Sequence, residues 1–302
     1  MSLCKILDGK ALASRIHKKL HTEVDHYVQQ GKRQPGLAVV LVGENPASKT
    51  YVANKEKTAT KKCGFKTFNA ILAEDATQEE VAAAISQFNN NPEVDGILMQ
   101  LPLPKHLDST SLLNLISPEK DVDGLHPVNQ GLLMRGLAGI RPCTPLGIMK
   151  LLDLAYQDDG CEEDAPAADL SGLKAVVIGR SILVGKPVSM LLLERNATVT
   201  VVHSRTKEGA KICREADIIV AAVGVPQMVT KEWVSKGSIV IDVGINRLSD
   251  GKLVGDVDFE GVKELCRAIT PVPGGVGPMT VAMLMANTFD AYKRSLLSPS
   301  SC

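Results

Sequence analysis

The chain has 302 residues, 34 basic and 34 acidic, with 44% apolar and only 3% aromatic side chains. That length suggests two domains, and so few aromatics point to cores of Val, Ile, Leu and Ala, as in parallel sheets covered by helices. Balanced charge without a basic stripe or acidic tail argues against nucleic acid or membrane surfaces as partners, and no apolar run approaches the roughly 18 residues of a membrane span.

Cys4, Cys63, Cys143, Cys161, Cys213, Cys266 and Cys302 are scattered, with no C-x-x-C pair. Reduced thiols in a reducing compartment are expected, with no metal site and no disulfide framework, and cytoplasm is the default. The basic N-terminus could pass for a transit peptide, but Leu12, Ile16, Leu20, Val24 and Val28 recur every four residues, as in a domain helix.

That helix is predicted over 10–30, ended by Gly31 and Pro35 ahead of a buried strand over 37–42. After Pro46, a second helix carries Ser48, Tyr51 and Lys55 at i, i+3 and i+7, on one face. A hydroxyl, an aromatic ring and an amine on one stripe look like a site, although a surface stripe would look the same. A strand over 65–72, a helix over 77–89 and a strand over 94–100 follow. Leu-Pro-Leu-Pro then leaves Gln100 at a carboxyl end, where open α/β sheets bind ligands. In the loop 119–125, Asp121 and Asp123 alternate, so only one of them reaches a given ligand. A helix over 146–156 precedes the acidic stretch 157–169, which reads as a solvated surface loop.

The second half turns on 175–187, a buried strand, a turn at Gly179 and a helix opening near Gly185. Free N–H groups at such a turn suit phosphate. The spacing Gly-x-Ser-x-x-x-Gly is looser than the dinucleotide fingerprint, and an ordinary strand–turn–helix stays open. About one βαβ unit on, the next strand ends His203-Ser204-Arg205, without the carboxylate an NAD ribose would need. A hydroxyl beside a guanidinium suits a 2′-phosphate, hence NADP rather than NAD. Strands near 174–179, 197–202, 217–223, 238–243 and 267–270 alternate with helices, and Gly224 and Gly244 end two of them. The Gly-rich loop 271–278 leads into a helix with Val281, Leu284, Met285, Thr288, Phe289 and Tyr292 on one face. The expected architecture is α/β, with two three-layer lobes over 1–146 and 147–302 and the active-site cleft between them. The second lobe should be a Rossmann-like parallel sheet, and the helix 280–296 should pack back on the first.

Taken together, Tyr51-Val-Ala-Asn-Lys55, Gln100-Leu-Pro-Leu-Pro, Asp121-Val-Asp-Gly-Leu, Gly179-Arg-Ser and Pro271-Val-Pro-Gly-Gly-Val-Gly-Pro-Met-Thr resemble the bifunctional methylenetetrahydrofolate dehydrogenase/cyclohydrolases. The resemblance runs from about Ile6 to Tyr292. It implies NADP-dependent oxidation of 5,10-methylenetetrahydrofolate to the methenyl cation, then hydrolysis to 10-formyltetrahydrofolate. It also implies one-carbon metabolism serving purine biosynthesis, in a homodimer joined through the cofactor domain. It assigns catalysis to Lys55 with Gln100, Tyr51 and Asp123. An exposed lysine would be protonated at neutral pH and a poor base, whereas burial beside a cationic substrate would lower its pKa. Gln100 could hold the amine without adding a counter-charge.

By the same resemblance, Tyr51 packs on the folate and Asp123 binds the pterin, leaving Asp121 as a structural partner. Ser48, Met99, Leu101, Pro273, Gly274, Gly275, Val276 and Gly277 complete the folate site. Gly179, Arg180, Ser181 and Gly185 take the phosphates, and Ser204 and Arg205 the 2′-phosphate. Ile245 falls near the nicotinamide half, with Gly244 and Thr280 also on the cofactor. Cys143 reads as packing and His203 as a loop residue near the adenosine end. The rival readings are an NADP oxidoreductase of another small substrate and a non-catalytic NADP-binding protein of the same fold. Neither explains Tyr51, Lys55, Gln100 and Asp123 together.

Overall fold

The computed structural model describes residues 4–157 and 167–297. Its first half runs β1 (Lys5–Ile6), α1 (Gly9–Gln29), β2 (Gly36–Val42), α2 (Pro46–Lys57), β3 (Lys66–Leu72), α3 (Gln78–Asn89), β4 (Gly96–Met99), α4 (Ser109–Leu113) and α5 (Pro127–Met134). The second runs α6 (Cys143–Tyr156), β5 (Lys174–Ile178), α7 (Gly185–Glu194), β6 (Thr198–Val202), α8 (Gly209–Cys213), β7 (Ile218–Ala221), β8 (Ile239–Asp242), β9 (Asn246–Arg247), β10 (Leu253–Val254), α9 (Phe259–Val262), β11 (Ala268–Ile269) and α10 (Val276–Leu297). These elements form two compact units, one of residues up to 13 with 144–280, the other of 14–143 with 281 onward.

The unit containing 14–143 is built on a parallel sheet in the order β3-β2-β4. Central β2, Gly-Leu-Ala-Val-Val-Leu-Val, is buried along its whole length, as a strand covered on both faces must be. Its alternate residues Ala38, Val40 and Val42 share a core with Val81, Ile85 and Phe88, the apolar stripe of α3. Thr77 and Glu80 form a reciprocal capping box that starts α3 where the Thr-x-x-Glu spacing requires. The second half of α10 belongs here. Asn287 donates from Nδ2 to the carbonyls of Val122 (2.8 Å) and Arg141 (2.9 Å), and the Tyr292 hydroxyl donates to the Arg33 carbonyl (2.6 Å). Asp95, only 3% exposed, accepts two bonds from Arg33 (2.6 and 2.7 Å), one from the Gly36 N–H and one from Ser295 Oγ. A buried carboxylate this well answered fixes the start of the sheet.

The other unit holds a six-stranded, all-parallel sheet in the order β1-β11-β8-β7-β5-β6. Val176, Ile178, Ile219, Ala221, Val240 and Ile269 line one core face. Strand order reverses beside β5, the position at which doubly wound sheets bind ligands at their carboxyl ends.

The structure differs from the sequence reading in identifiable places. Residues 4–13 group with this sheet, because β1 pairs with β11, and not with the lobe of 1–146 in which the sequence reading places them. A two-residue strand leaves no periodicity to read. Helices α4 and α5 and the antiparallel pair β9–β10 are likewise too short to show a period, although Pro127 and the His126 ring cap α5. α10 opens at Val276 rather than near 280, so the end of the Gly-rich stretch is helical. Most of the acidic stretch, 158–166, lies outside the described residues. At its edge Asp169 accepts from Ser171 and Asn196.

His17 on α1 is 5% exposed, and neither of its ring nitrogens has a hydrogen-bond partner among the described residues. Burial, with Lys62 adding to it, pushes its pKa down to about 4. Below about pH 6.5 the unfolded chain binds a proton that the folded chain refuses, so stability falls as pH drops from there toward 4. Urea midpoints at pH 7.5 and pH 5 should show wild type losing on the order of 1–2 kcal/mol more than His17→Phe; equal losses would dismiss the effect.

Candidate active site

Lys55 lies in the last turn of α2, and its side chain is buried, the residue being 6% exposed. Its Nζ donates to Gln100 Oε1 at 3.2 Å, while Gln100 Nε2 donates to the Leu101 carbonyl at 2.6 Å. The second bond settles which end of the amide faces the lysine. Lys55 Nζ also stands 4.4 Å from the centroid of the Tyr51 ring, one turn back on the same helix. Burial lowers the lysine pKa, and the negative charge of Asp123 opposes that shift without cancelling it. The ring face also favours the ammonium form. The amine is thus drawn down from the ordinary lysine range but kept able to bind a proton.

Asp123 is half-buried, its carboxyl pushed up by burial and held back by Lys55 and by the Cys143 thiol. Tyr51 is 38% exposed, and its phenol, pushed up to about 12 mainly by burial, keeps its proton. Cys143 is buried, with Sγ 3.2 Å from the Val122 carbonyl and 3.5 Å from Asn287 Nδ2. Burial and Asp123 hold its thiol well above the usual range, so it is a packed thiol and no nucleophile. Asp121 accepts from the N–H groups of Leu125 and His126 and from Asn129, and so shapes the loop that presents Asp123. Ser48 is buried on the same helix as Tyr51 and Lys55, and Leu101 is half-buried beside Gln100. Met99 corrects the expectation. Its side chain is 2% exposed inside the hydrophobic core, because alternation along β4 turns it away from the strand end.

In the other unit, a cavity of about 550 Å³ opens at the carboxyl ends of β5, β6 and β7. Gly179, Arg180, Ser181, His203, Ser204 and Thr206 line one side of it. Gly179 has φ +117°, and a Cβ there would overlap the Ala222 carbonyl oxygen. A Cβ on Gly185 would overlap the Gly179 carbonyl, so that glycine serves the close approach of α7 to β5 and does not line the cavity. Ser181 Oγ accepts from the Val184 N–H (3.1 Å), which shapes the loop and leaves its own proton free to be donated. The turn after β6 is held by the Thr206 hydroxyl on the His203 N–H and by His203 Nδ1 on the Arg205 N–H. Arg205 itself is exposed and not part of the lining. Val225, Met228 and Trp233 form an apolar wall that sequence reasoning missed. Trp233 is the chain's single tryptophan, the one hint available.

Gly244 and Ile245 share a smaller cavity of about 140 Å³ with Pro273, Gly274, Gly275, Val276 and Gly277. The structure therefore seats the Pro273–Gly277 stretch with the expected cofactor residues. Thr280 is bonded to the Thr144 hydroxyl at 2.9 Å. Among the described residues, no group of three or more His, Cys, Asp or Glu side chains could hold a metal ion, and no helix is long and apolar enough to cross a membrane.

A doubly wound parallel sheet with a phosphate-type turn, joined to a unit carrying a desolvated lysine, defines a dinucleotide-dependent enzyme. Comparison with known proteins makes this specific. Residues 7–123 match the catalytic domain of tetrahydrofolate dehydrogenase/cyclohydrolase, and residues 142–296 match its NAD(P)-binding domain. The chain is 50% identical over 291 residues to the bifunctional protein FolD of Streptococcus thermophilus, covering 96% of this chain and 98% of that protein. The crystal structure of the Campylobacter jejuni bifunctional FolD enzyme superposes with a TM-score of 0.90 at 46% identity, over 96% of this chain and 99% of that one. The Trypanosoma brucei dehydrogenase-cyclohydrolase, solved with NADP and an inhibitor, gives 0.90 at 40% identity, over 99% and 100%. The chain belongs to the tetrahydrofolate dehydrogenase/cyclohydrolase family, and it is a bifunctional enzyme of one-carbon folate metabolism.

Gly179→Ala should unseat the β5 turn, since it needs both the positive φ and the space of the Ala222 carbonyl. The expected result is at least about tenfold weaker NADPH binding by fluorescence titration with a lowered Tm. Unchanged binding would show that this turn does not carry the cofactor.

Proposed function

We propose that Lys55 is the proton-transfer residue of both the hydration and the ring opening, and that Gln100, Tyr51 and Asp123 prepare it and the folate for those steps. The Lys55–Gln100 hydrogen bond carries this reading. NADP, when bound, supplies the hydride acceptor for oxidation of 5,10-methylenetetrahydrofolate. The Gly179–Ser181 turn offers N–H groups and a guanidinium to its phosphates, and Ser204 a hydroxyl at the 2′-phosphate, where the end of β6 has no carboxylate. The methenyl carbon then takes up water and the lysine amine accepts one water proton, leaving a neutral carbinol. The ammonium so formed protonates N5 as its bond to the one-carbon unit breaks, and the carbinol hydroxyl releases its proton to solvent as the formyl C=O forms. The product is 10-formyltetrahydrofolate. Burial that lowers the lysine pKa makes the amine more available as the base for the first half of that exchange and its ammonium a better acid for the second. The Tyr51 ring offers a face to the flat folate, and Asp123 accepts from pterin N–H groups. The 273–277 stretch keeps, within this proposal, the folate-lining role the family resemblance gives it.

A formyl donor suits the ring-building steps of purine synthesis, and we assign the enzyme to that supply. Five free cysteines among the described residues, four of them buried, support a reducing, cytoplasmic setting. A homodimer through the cofactor unit is supported by β6, an edge strand with Val201 37% exposed, and by neighbouring Leu193, 49% exposed. Sedimentation should give a dimer that Val201→Lys shifts toward monomer, whereas a wild-type monomer would remove the assignment.

Two variants test the chemistry. With methylenetetrahydrofolate and NADP, wild type should form NADPH without matching methenyl accumulation, and Lys55→Met should lose hydrolysis by about 10²–10⁴-fold. Gln100→Glu would place a negative charge on the amine and raise its pKa, so the rise of hydrolysis with pH should move to higher pH. A Lys55→Met enzyme that still hydrolyses methenyltetrahydrofolate at the wild-type rate would end the assignment.

A further inference from the structure

We infer that Asp256 is a positioning residue for the cofactor: with Asp242, it ties the loop after β7 to the loop after β8 and so sets the backbone that receives the dinucleotide. This rests on the NADP reading above. Asp256 is fully buried, and Asp242 is 3% exposed. One Asp256 oxygen accepts from the N–H groups of Val223 (2.7 Å) and Gly224 (2.9 Å), just beyond β7. The other accepts from Asn246 Nδ2 (2.9 Å), just beyond β8. The Asp256 N–H donates to Asp242 Oδ1 (2.9 Å), which also accepts from the Gly244 N–H (3.0 Å), while Asp242 Oδ2 accepts from the Val257 N–H (3.0 Å).

The shape of the site agrees with this. A Cβ on Gly244 would overlap the Asp256 carboxylate, and a Cβ on Gly255 would overlap that of Asp242. Glycine at 244 therefore leaves room for the tie behind the loop. Two adjacent buried carboxylates are costly, and core packing alone would be served better by apolar side chains. The bonds of Asp256 go to loop positions at the carboxyl ends of parallel strands, where this fold class receives ligands. Val223 lines the cavity that begins at Gly179, and Gly244 lines the one shared with Ile245. The linked pair therefore holds a residue from the rim of each, Val223 through Asp256 and Gly244 through Asp242.

The test uses the full-length enzyme with Asp256→Asn, whose amide turns a donor toward one of the three donors now accepted. We expect the KM for NADP to rise about tenfold, from the loss of one hydrogen bond to a charged group. The dehydrogenase kcat should stay within about threefold, and hydrolysis of methenyltetrahydrofolate, assayed without cofactor, should be unchanged. A folded variant with unchanged KM for NADP overturns the inference. So does a parallel fall of both activities, which would mark a general scaffold role. If Asp256→Asn does not fold, Asn246→Ala removes one arm from outside the buried pair, and it should raise the KM about threefold by the same reasoning; no change overturns the inference. A wild-type enzyme that reduces no NADP would instead overturn the cofactor reading itself.

Discussion

The mechanism proposed for this enzyme depends on one buried amine, that of Lys55, held by a neutral partner. A carboxylate in the place of Gln100 would stabilise the Lys55 ammonium and make it a poor base. An apolar residue there would leave a buried donor unanswered. The amide avoids both faults, and its other end is fixed by the Leu101 carbonyl, so it cannot flip to present a second donor. Asp123 and the Tyr51 ring act in the opposite direction and limit how far the pKa falls. The lysine pKa is set by a balance of burial against nearby negative charge, in which burial is the larger effect.

That balance is available only because parallel strands end together. β4 stops after Met99, which leaves Gln100 at its carboxyl end, and the 119–125 loop returns alongside β4 through the pairing of Ile97 with Asp121. In the other unit the same rule brings Gly179, Val223 and Gly244 to strand ends, and each must accommodate a close approach by backbone or ligand. Gln100, Gly179 and Ser204 sit where strands stop, while the fully buried β2 and β7 are built from Val, Ile, Leu, Ala and a single Gly. The low aromatic content follows from the same arrangement, since flat parallel layers are filled by branched aliphatics.

How much of this the sequence reveals depends on whether the signal is local. Ser48, Tyr51 and Lys55 declare themselves by spacing on one helix, and Gln100 by the prolines that end its strand. Met99 misleads, because the strand alternates and a neighbour of a site residue faces the core. Trp233, Met228 and Val225 enter their cavity from segments far from Gly179 in the chain, and no short pattern marks that meeting. Asp256 is hidden for a different reason. A carboxylate in a polar loop resembles a solvated charge until the three N–H groups converging on it are seen. The strand β1 is simply too short to show alternation, although it extends the larger sheet.

The division of labour along the chain carries a further consequence for the two reactions. Lys55, Gln100, Tyr51 and Asp123 all belong to the unit of 14–143 and the end of α10, whereas Gly179, Ser204, Gly244 and Asp256 belong to the unit built on β5–β8. On the proposed assignment hydrolysis takes its proton transfer from the first set alone, with the 273–277 stretch of the other unit lining the folate. Oxidation needs both sets. On that assignment, damage to the dinucleotide loops removes oxidation while sparing hydrolysis. Damage to the lysine leaves the hydride acceptor in place, but the methenyl product has no base to hydrate it. The proposed mechanism thus makes the two activities separable in one direction by the cofactor loops and in the other by a single amine, an asymmetry that follows from which residues each step must touch.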